Sequence, residues 1–380
     1  MAVASFDAAA DPDAQPLAET PAIAEARRTM EICNACRYCE GYCPVFPAME
    51  RRRQFSVLDL GHLANLCHNC KGCWYACQYA PPHEFGLNLP KAFAEVRTES
   101  YAQFAWPSGF GKYFENNGLW VSLLTAAVLS ATLIASALMI SAETMTAVHR
   151  GEGAFYAIFP HEVMVLLGGL TFGWAVVAMT VGAVRYWRAC GASGVRPGHV
   201  LQALKEAGTT RHLGGAGDGC NDIDERFGVG RKHMHLATMW GFLLCFAATT
   251  SGTLIHYGLG WYSPYPWWAP PVVLGTVGGV LLTIGTTGLF ALKIQADREP
   301  ADTRRYGMDY AFLALLNLSA VTGLALLFFR HTSAMGWLLA IHLGVVLALF
   351  LSLPYGKFVH GIYRTMALVR DVAEREKHGF

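Results

Sequence analysis

Eight of the eleven cysteines occur in two runs that share one spacing. The first run is CNACRYCEGYCP, with Cys33, Cys36, Cys39 and Cys43, and the second is CHNCKGCWYACQ, with Cys67, Cys70, Cys73 and Cys77. Three thiolates at C-x2-C-x2-C spacing wrap around one 4Fe–4S cluster, and the fourth ligand comes from farther away. The two runs therefore predict two 4Fe–4S clusters, and electron transfer is the first hypothesis for the function.

The last cysteine of each run is expected to bind the cluster of the other run, as in two-cluster ferredoxins. This crossing assigns one cluster to Cys33, Cys36, Cys39 and Cys77. It assigns the second cluster to Cys67, Cys70, Cys73 and Cys43. The first run ends in Cys43-Pro44, as the pattern requires, whereas the second ends in Cys77-Gln78, a departure that removes no ligand.

Zinc sites and disulfides are the alternative explanations for clustered cysteines. Structural zinc sites take paired arms with two ligands each, unlike these runs of four. Disulfides require an oxidising compartment and do not explain a repeated spacing. The other three cysteines, Cys190, Cys220 and Cys245, have no partner at ligand spacing and are interpreted as packing or loop residues.

The remainder of the chain is too apolar for an ordinary soluble domain, since 53% of all residues are hydrophobic and 15% are charged. Runs of about 20 residues that avoid charge predict membrane spans. Six such runs occur, near 118–140, 162–184, 236–256, 271–292, 310–329 and 335–356. Pro354 lies near the end of the last run, where a kink is expected. A lipid bilayer is therefore one partner, and nothing indicates nucleic acid binding.

The distribution of basic residues predicts the orientation in the membrane. With six spans, the loops on one side contain only Arg150 and Arg330 as basic residues. The opposite side, which carries both termini and the cysteine runs, is rich in lysine and arginine. The positive-inside rule places that side in the cytoplasm, a reducing compartment that suits free thiolates. Residues 1–25 lack the pattern of a removable signal sequence and predict a disordered tail.

Four of the fourteen histidines are candidates for ligands inside the membrane. They lie in two positions on each of two spans: His235 and His256 on the third, His342 and His360 on the sixth. These spans run antiparallel, so His235 is expected to face His360, and His256 to face His342, at matched depths. Imidazoles that face each other across a helix bundle can bind one haem at both axial positions. We therefore predict one or two haem b groups.

Two other interpretations of the membrane histidines remain open. Single histidines can lie at the interface or hydrogen-bond to backbone, without binding a cofactor. His161, at the start of the second span, is a substitute outer ligand or a hydrogen-bond partner for quinone. The spans contain few acidic residues, which disfavours an ion-coupled transporter. No flavin-binding or nicotinamide-binding fingerprint occurs, so the electrons must come from another molecule.

The order of these features resembles the citrate or tricarballylate utilization protein B family. The resemblance rests on the cysteine runs, on KHMHLATMWGFLLCFAATTSGTLIHY (232–257) and on AIHLGVVLALFLSLPYGKFVHGIYR (340–364), and it covers almost everything after residue 28. It implies a membrane partner of a soluble FAD-dependent dehydrogenase, which it reoxidises while passing electrons toward quinone. The cysteine domain is also similar to the helical ferredoxins of heterodisulfide and succinate-oxidising complexes. A compact ferredoxin with short strands is the open alternative.

We therefore predict an all-α membrane protein with four segments: a disordered tail (1–28), a two-cluster ferredoxin-like domain (29–117), a six-helix transmembrane bundle (118–358) and a cytoplasmic tail (359–380). The expected place is the bacterial inner membrane. The predicted role is that of a redox subunit, with no catalytic residue of its own, between a dehydrogenase and quinone. The alternative is an enzyme that acts directly on a small molecule or corrinoid at its cytoplasmic face.

Overall fold

The structure is a computed structural model that describes residues 19–215, 217 and 219–379. Within these residues the regular secondary structure is helical, and the only β pairing is one isolated bridge between Cys220 and Gly228. The helices are α1 (Pro21–Cys36), α2 (Val45–Glu50), α3 (Val57–Leu66), α4 (Gly72–Tyr75), α5 (Leu89–Phe104), α6 (Asn117–Met139), α7 (Ala142–Thr146), α8 (His161–Cys190), α9 (Pro197–Gly208), α10 (Gly230–Leu259), α11 (Pro270–Gln295), α12 (Tyr306–Phe329), α13 (Met335–Ser352) and α14 (Val359–Lys377).

Helices α1 to α5 form the cysteine domain, whose predicted helical character is confirmed. Helix α1 starts at Pro21, earlier than the predicted end of the tail at residue 28. The start is fixed because the Thr20 hydroxyl accepts a hydrogen bond from the Ile23 N–H and because Ile23 and Ala26 are fully buried. The rest of the predicted tail, residues 1–18, lies outside the described residues.

The six predicted spans are confirmed as helices long and apolar enough to cross a membrane. They are α6, α8, α10, α11, α12 and α13, with short 3-10 extensions on the last two. Many of their leucine and valine side chains are exposed on the outside of the bundle, including Leu123, Val165 and Leu254. An outward apolar surface of this kind is what a lipid bilayer would cover.

The sixth span does not continue to His360. Helix α13 ends at Ser352, residues Leu353–Tyr355 form a 3-10 turn around Pro354, and a separate helix, α14, begins at Val359. Proline cannot donate the next helical hydrogen bond, and its ring disfavours a continuous helix. His342 and His360 therefore lie on two different helices, which corrects the prediction that both are on the sixth span.

Helices α10 and α11 pack against each other through glycines. A Cβ atom at Gly241 would lie 2.5 Å from the Leu282 backbone nitrogen, and one at Gly285 would lie 2.5 Å from the Thr238 nitrogen. By contrast, α10 makes few close backbone contacts with α8, α13 or α14. The face of α10 that points away from α11 is therefore joined to the remaining bundle mainly by side chains.

The cysteine domain packs on one end of the bundle, which we call the near side; the other end is the far side. Ion pairs tie the domain to α14: Arg51 to Asp371, Arg52 to Glu374 (2.8 Å), and Arg370 to Asp59 (3.0 Å). On the far side, Arg330 donates to the Tyr265 carbonyl (2.7 Å) within the aromatic segment 261–268. The side chains of Trp267 and Trp268 are exposed there, as expected of an interfacial aromatic belt.

We predict that Gly241→Val destabilises the protein, because a larger side chain must push α10 away from the Leu282 backbone. Overpacking of this kind costs about 1–3 kcal/mol. The matched control is Gly173→Val on α8, where a Cβ atom meets nothing within 4 Å. Heating in detergent followed by size-exclusion chromatography should show earlier aggregation for Gly241→Val and a wild-type profile for Gly173→Val. Equal losses in both variants would contradict the packing account.

Candidate redox site

The cysteine domain contains two neighbouring cavities lined by thiols. Cys33, Cys36, Cys39 and Cys77 line the first cavity, together with the side chains of Tyr38 and Trp74. Cys43, Cys67 and Cys70 line the second cavity, and Cys73 lines both. Each cavity thus combines three cysteines of one run with the last cysteine of the other run, which is the crossed grouping that the spacing suggests.

The thiol groups fit a cluster better than a single metal ion. Among the described residues, no three His, Cys, Asp or Glu side chains converge closely enough to hold one ion. A four-iron cubane binds one thiolate at each iron, so its four ligands stand farther apart than the ligands of one zinc ion. A set of four thiols around each of two cavities is therefore suited to two 4Fe–4S clusters.

Burial disfavours the ionised thiolate of Cys33 in the first cavity and of Cys43 in the second cavity when no cation is present. Burial and the neighbouring Cys77 and Cys39 raise the pKa of Cys33 to about 12. Burial and the neighbouring Cys70 and Cys67 raise the pKa of Cys43 well above its usual value. Positively charged iron would offset both the desolvation and the mutual repulsion, because metal ligation deprotonates thiols.

Cys220, interpreted from the sequence as a loop or packing residue, lies against the second cavity. The neighbouring Cys220 thiol lowers the pKa of Cys70, and the Asn221 N–H donates to the Cys70 carbonyl (3.0 Å). The Cys220 thiol itself donates to the Leu213 carbonyl (2.8 Å). Gly219 has a φ of +111°, and a Cβ atom there would lie 2.4 Å from the Gly228 carbonyl oxygen. This glycine lets the loop between α9 and α10 turn back onto the cysteines, a contact that no short spacing encodes.

The loop that carries the second run is bound to the near side of the membrane bundle. The Arg231 guanidinium, at the start of α10, donates to the Asn69 carbonyl (2.6 Å) and the His68 carbonyl (3.1 Å). Lys71 donates to the Asp297 carbonyl (3.1 Å) beyond the end of α11. None of these contacting residues lines the first cavity, and Tyr38 on its rim is 68% exposed. One cavity is thus open to a soluble partner, and the other is held against the bundle.

His235 and His360 lie together, and His235 is one helical turn from Arg231, which contacts the loop that lines the second cavity. Their ring centroids are 6.2 Å apart at an angle of 85°. Two metal–imidazole bonds of roughly 2 Å, extended by roughly 1 Å to each ring centre, also span about 6 Å. His360 Nδ1 contacts the Lys357 carbonyl, which leaves Nε2 for a metal, and His235 Nδ1 is buried with no hydrogen-bond partner among the described residues. These two residues could hold one haem.

The structure does not bring His256 to His342. Instead, His256 stacks on His161 with parallel rings and centroids 3.9 Å apart, and its Nδ1 lies 3.2 Å from the Tyr156 hydroxyl. His342 Nδ1 pairs with the Thr322 hydroxyl at 3.0 Å. Two imidazoles stacked face to face, as those of His161 and His256 are, cannot both direct a nitrogen at one iron between them. The predicted far-side haem between His256 and His342 is therefore at odds with this arrangement, because packing with α8 selects another neighbour for His256.

Comparison with known proteins agrees with these features. Residues 116–379 match the family described as citrate utilization protein B, and residues 26–103 match the citrate utilization protein B Fer4-like domain. The chain belongs to the citrate utilization protein B family. It is 46% identical over 356 residues to citrate utilization protein B of Escherichia coli, which covers 93% of both chains. No solved structure matches the chain.

Membership of the citrate utilization protein B family supports a coarse description of the protein. It is a membrane-associated component of citrate utilization with an iron–sulfur-type domain. The Fer4-like match falls on the part of the chain that contains both thiol-lined cavities.

We predict that serine variants reveal the crossed ligand sets. Cys77→Ser should give the same change in cluster EPR signals as Cys36→Ser, because both thiols line the first cavity. Cys43→Ser should instead match Cys67→Ser. Cys245→Ser, on α10 and remote from the cavities, is the control and should keep about eight irons, the content of two clusters. A Cys77→Ser spectrum that matches Cys67→Ser would contradict the crossing.

Proposed function

We propose that the chain is a membrane electron-transfer protein that reoxidises a partner FAD-dependent dehydrogenase and passes the electrons to quinone by way of two 4Fe–4S clusters and one haem b. The observation that carries this proposal is the spatial order of the three sites. The open cavity, the docked cavity and the histidine pair follow one another from the protein surface to the membrane bundle. Iron–sulfur clusters and haem supply one-electron transfer when bound.

The ligands that we assign follow from the two cavities and the histidine pair. The outer cluster would be held by Cys33, Cys36, Cys39 and Cys77. The inner cluster would be held by Cys43, Cys67, Cys70 and Cys73. The haem would be held by His235 and His360. His256 and His342 were equal candidates in the sequence, but their separate partners leave them without a shared ligand in this proposal.

The dehydrogenase is expected to bind at the open cavity. Tyr38 and Phe85 are exposed on this side of the cysteine domain, and Gln78 reaches the Cys36 sulfur (3.7 Å) at its edge. The docked cavity is less suited to a large partner, because Asn221, Arg231 and Asp297 already bond to the loop that lines it. Electrons would thus enter at the surface and leave toward the bundle.

The near side is assigned to the cytoplasm of a bacterial inner membrane. Both the cysteine domain and α14 lie on this side, together with the basic loop that contains Arg211, Arg226 and Arg231. The far-side loops carry only Arg150 and Arg330 as lysine or arginine, which agrees with the positive-inside rule. The name of the relative from Escherichia coli refers to citrate utilization. We therefore expect citrate or a related tricarboxylate such as tricarballylate to be oxidised on the partner.

The purified protein should contain about eight irons in its clusters and show a reducible b-type Soret band. His235→Ala and His360→Ala should each remove most of the Soret band but leave the cluster EPR signals, because the thiol ligands remain intact. His331→Ala, at the exposed far side, is the matched control and should retain both. Retention of a normal haem spectrum in both ligand variants would refute the assigned pair.

A second test addresses the partner. In membrane vesicles, quinone reduction with a tricarboxylate should require addition of the flavoprotein, since the chain has no flavin-binding fingerprint. Tyr38→Glu should raise the flavoprotein concentration needed for half-maximal quinone reduction at least severalfold, because it should weaken flavoprotein binding. Tyr262→Glu, on the far side, should leave this concentration unchanged. Turnover of the organic substrate without flavoprotein would favour an enzyme that acts by itself.

A further inference from the structure

Each histidine of the inner pair is accompanied by an arginine one helical turn closer to the cysteine domain. Arg231 precedes His235 by four residues on α10, and Arg364 follows His360 by four residues on α14. Residues four apart share a helix face and are separated by roughly 6 Å along the axis. The two arginines lie near each other, and Arg364 also lies near Cys67, which lines the second cavity.

The contacts of these arginines place them beside the inner cluster site. Arg231 holds the carbonyls of His68 and Asn69, next to the second run. Arg364 lies near Cys67, Arg97 and Arg231, and its Nε is buried with no hydrogen-bond partner among the described residues. Burial and the neighbouring Arg97 lower the pKa of Arg364 to about 10, so the guanidinium remains charged at neutral pH.

This region contains more positive charge than the protein itself neutralises. Six neighbouring cations lie here: Lys71, Arg97, Arg231, Lys293, Lys357 and Arg364. In the described part of the chain their ion pairs involve one carboxylate, Asp309, which binds Lys293 (2.6 Å) and Lys357 (2.8 Å). Asp222 also lies near Arg231 but accepts its backbone N–H (3.0 Å). Buried cations without counter-charges are strongly unfavourable, so bound anions are expected.

The proposed cofactors supply anionic groups on both sides of the arginines. On the side of Cys67, a thiolate-ligated cluster would supply the negative charge. On the side of the histidines, the matching anions are the carboxylates that a haem b carries on its edge. Arginine binds carboxylates through paired N–H donors. Among the described residues, Arg364 Nε has no hydrogen-bond partner, and Arg231 uses two of the five N–H donors of a guanidinium on the His68 and Asn69 carbonyls.

We propose that Arg231 and Arg364 bind the propionate carboxylates of the haem held by His235 and His360, and so orient it toward the inner cluster. This proposal rests on the proposed function. The two arginines are positioning residues, since they would act on the haem edge and not on the iron. Their charge also favours the reduced, more negative forms of both centres, which raises their midpoint potentials.

The test compares Arg364→Gln and Arg364→Lys in the full-length protein, with the exposed Arg226→Gln in the neighbouring loop as the control. Potentiometric titration, followed at the Soret band and by cluster EPR, should show lower haem and inner-cluster potentials in Arg364→Gln. The propionate bending band in resonance Raman spectra should shift, and washing should remove haem severalfold faster. Arg364→Lys should shift the potentials, the propionate band and the rate of haem loss in the same direction but by less. If the glutamine variant does not fold, the lysine variant alone tests the proposal.

Three outcomes would count against the proposal and can be told apart. Haem potential and propionate band that stay at wild-type values in both Arg364 variants would overturn the carboxylate-binding role alone. A wild-type protein that contains clusters but no haem would overturn the haem part of the proposed function together with this inference. Equal shifts in Arg226→Gln would assign the effect to general surface charge and would also count against it.

Discussion

Two hydrogen bonds from the Arg231 guanidinium to the His68 and Asn69 carbonyls connect the membrane bundle to the cysteine domain. They lie at the place where electrons would pass from one to the other. The same arginine lies one turn from His235 on α10. One rigid helical turn therefore sets the separation between the second cysteine run and the inner histidine pair. Electron transfer depends on such fixed separations, so a flexible tether between the domains would not serve the proposed function.

The ion pairs between the cysteine domain and α14 hold the other side of this arrangement. Asp59 and Glu374 each pair with both Arg52 and Arg370, so the contact is a network and not a set of isolated bridges. Buried ion pairs add little net stability against the cost of desolvation, so we infer that this network serves mainly to fix the orientation of α14. Because α14 also carries His360, its position on the cysteine domain fixes the second imidazole relative to the first.

The features that the sequence predicted are local ones. The six spans follow from runs of apolar residues, and the grouping of cysteines follows from spacing that repeats within 45 residues of chain. The features that it missed depend on contacts between distant segments. Cys220 reaches Cys70 only because Gly219 turns the loop back, and His256 meets His161 only because α8 and α10 converge on the far side. The break at Pro354 was expected as a kink, but its extent, which separates His342 from His360, depends on the docking of α14.

The central claim is that electrons reach the histidine pair through the cysteine domain. Laser-flash reduction of the full-length protein by a photoexcited deazaflavin, followed by transient absorption, tests it most directly. The account predicts that cluster bleaching precedes reduction at the Soret band, and that loss of the inner cluster slows the second phase by at least tenfold. Haem reduction that is equally fast without the clusters would contradict it.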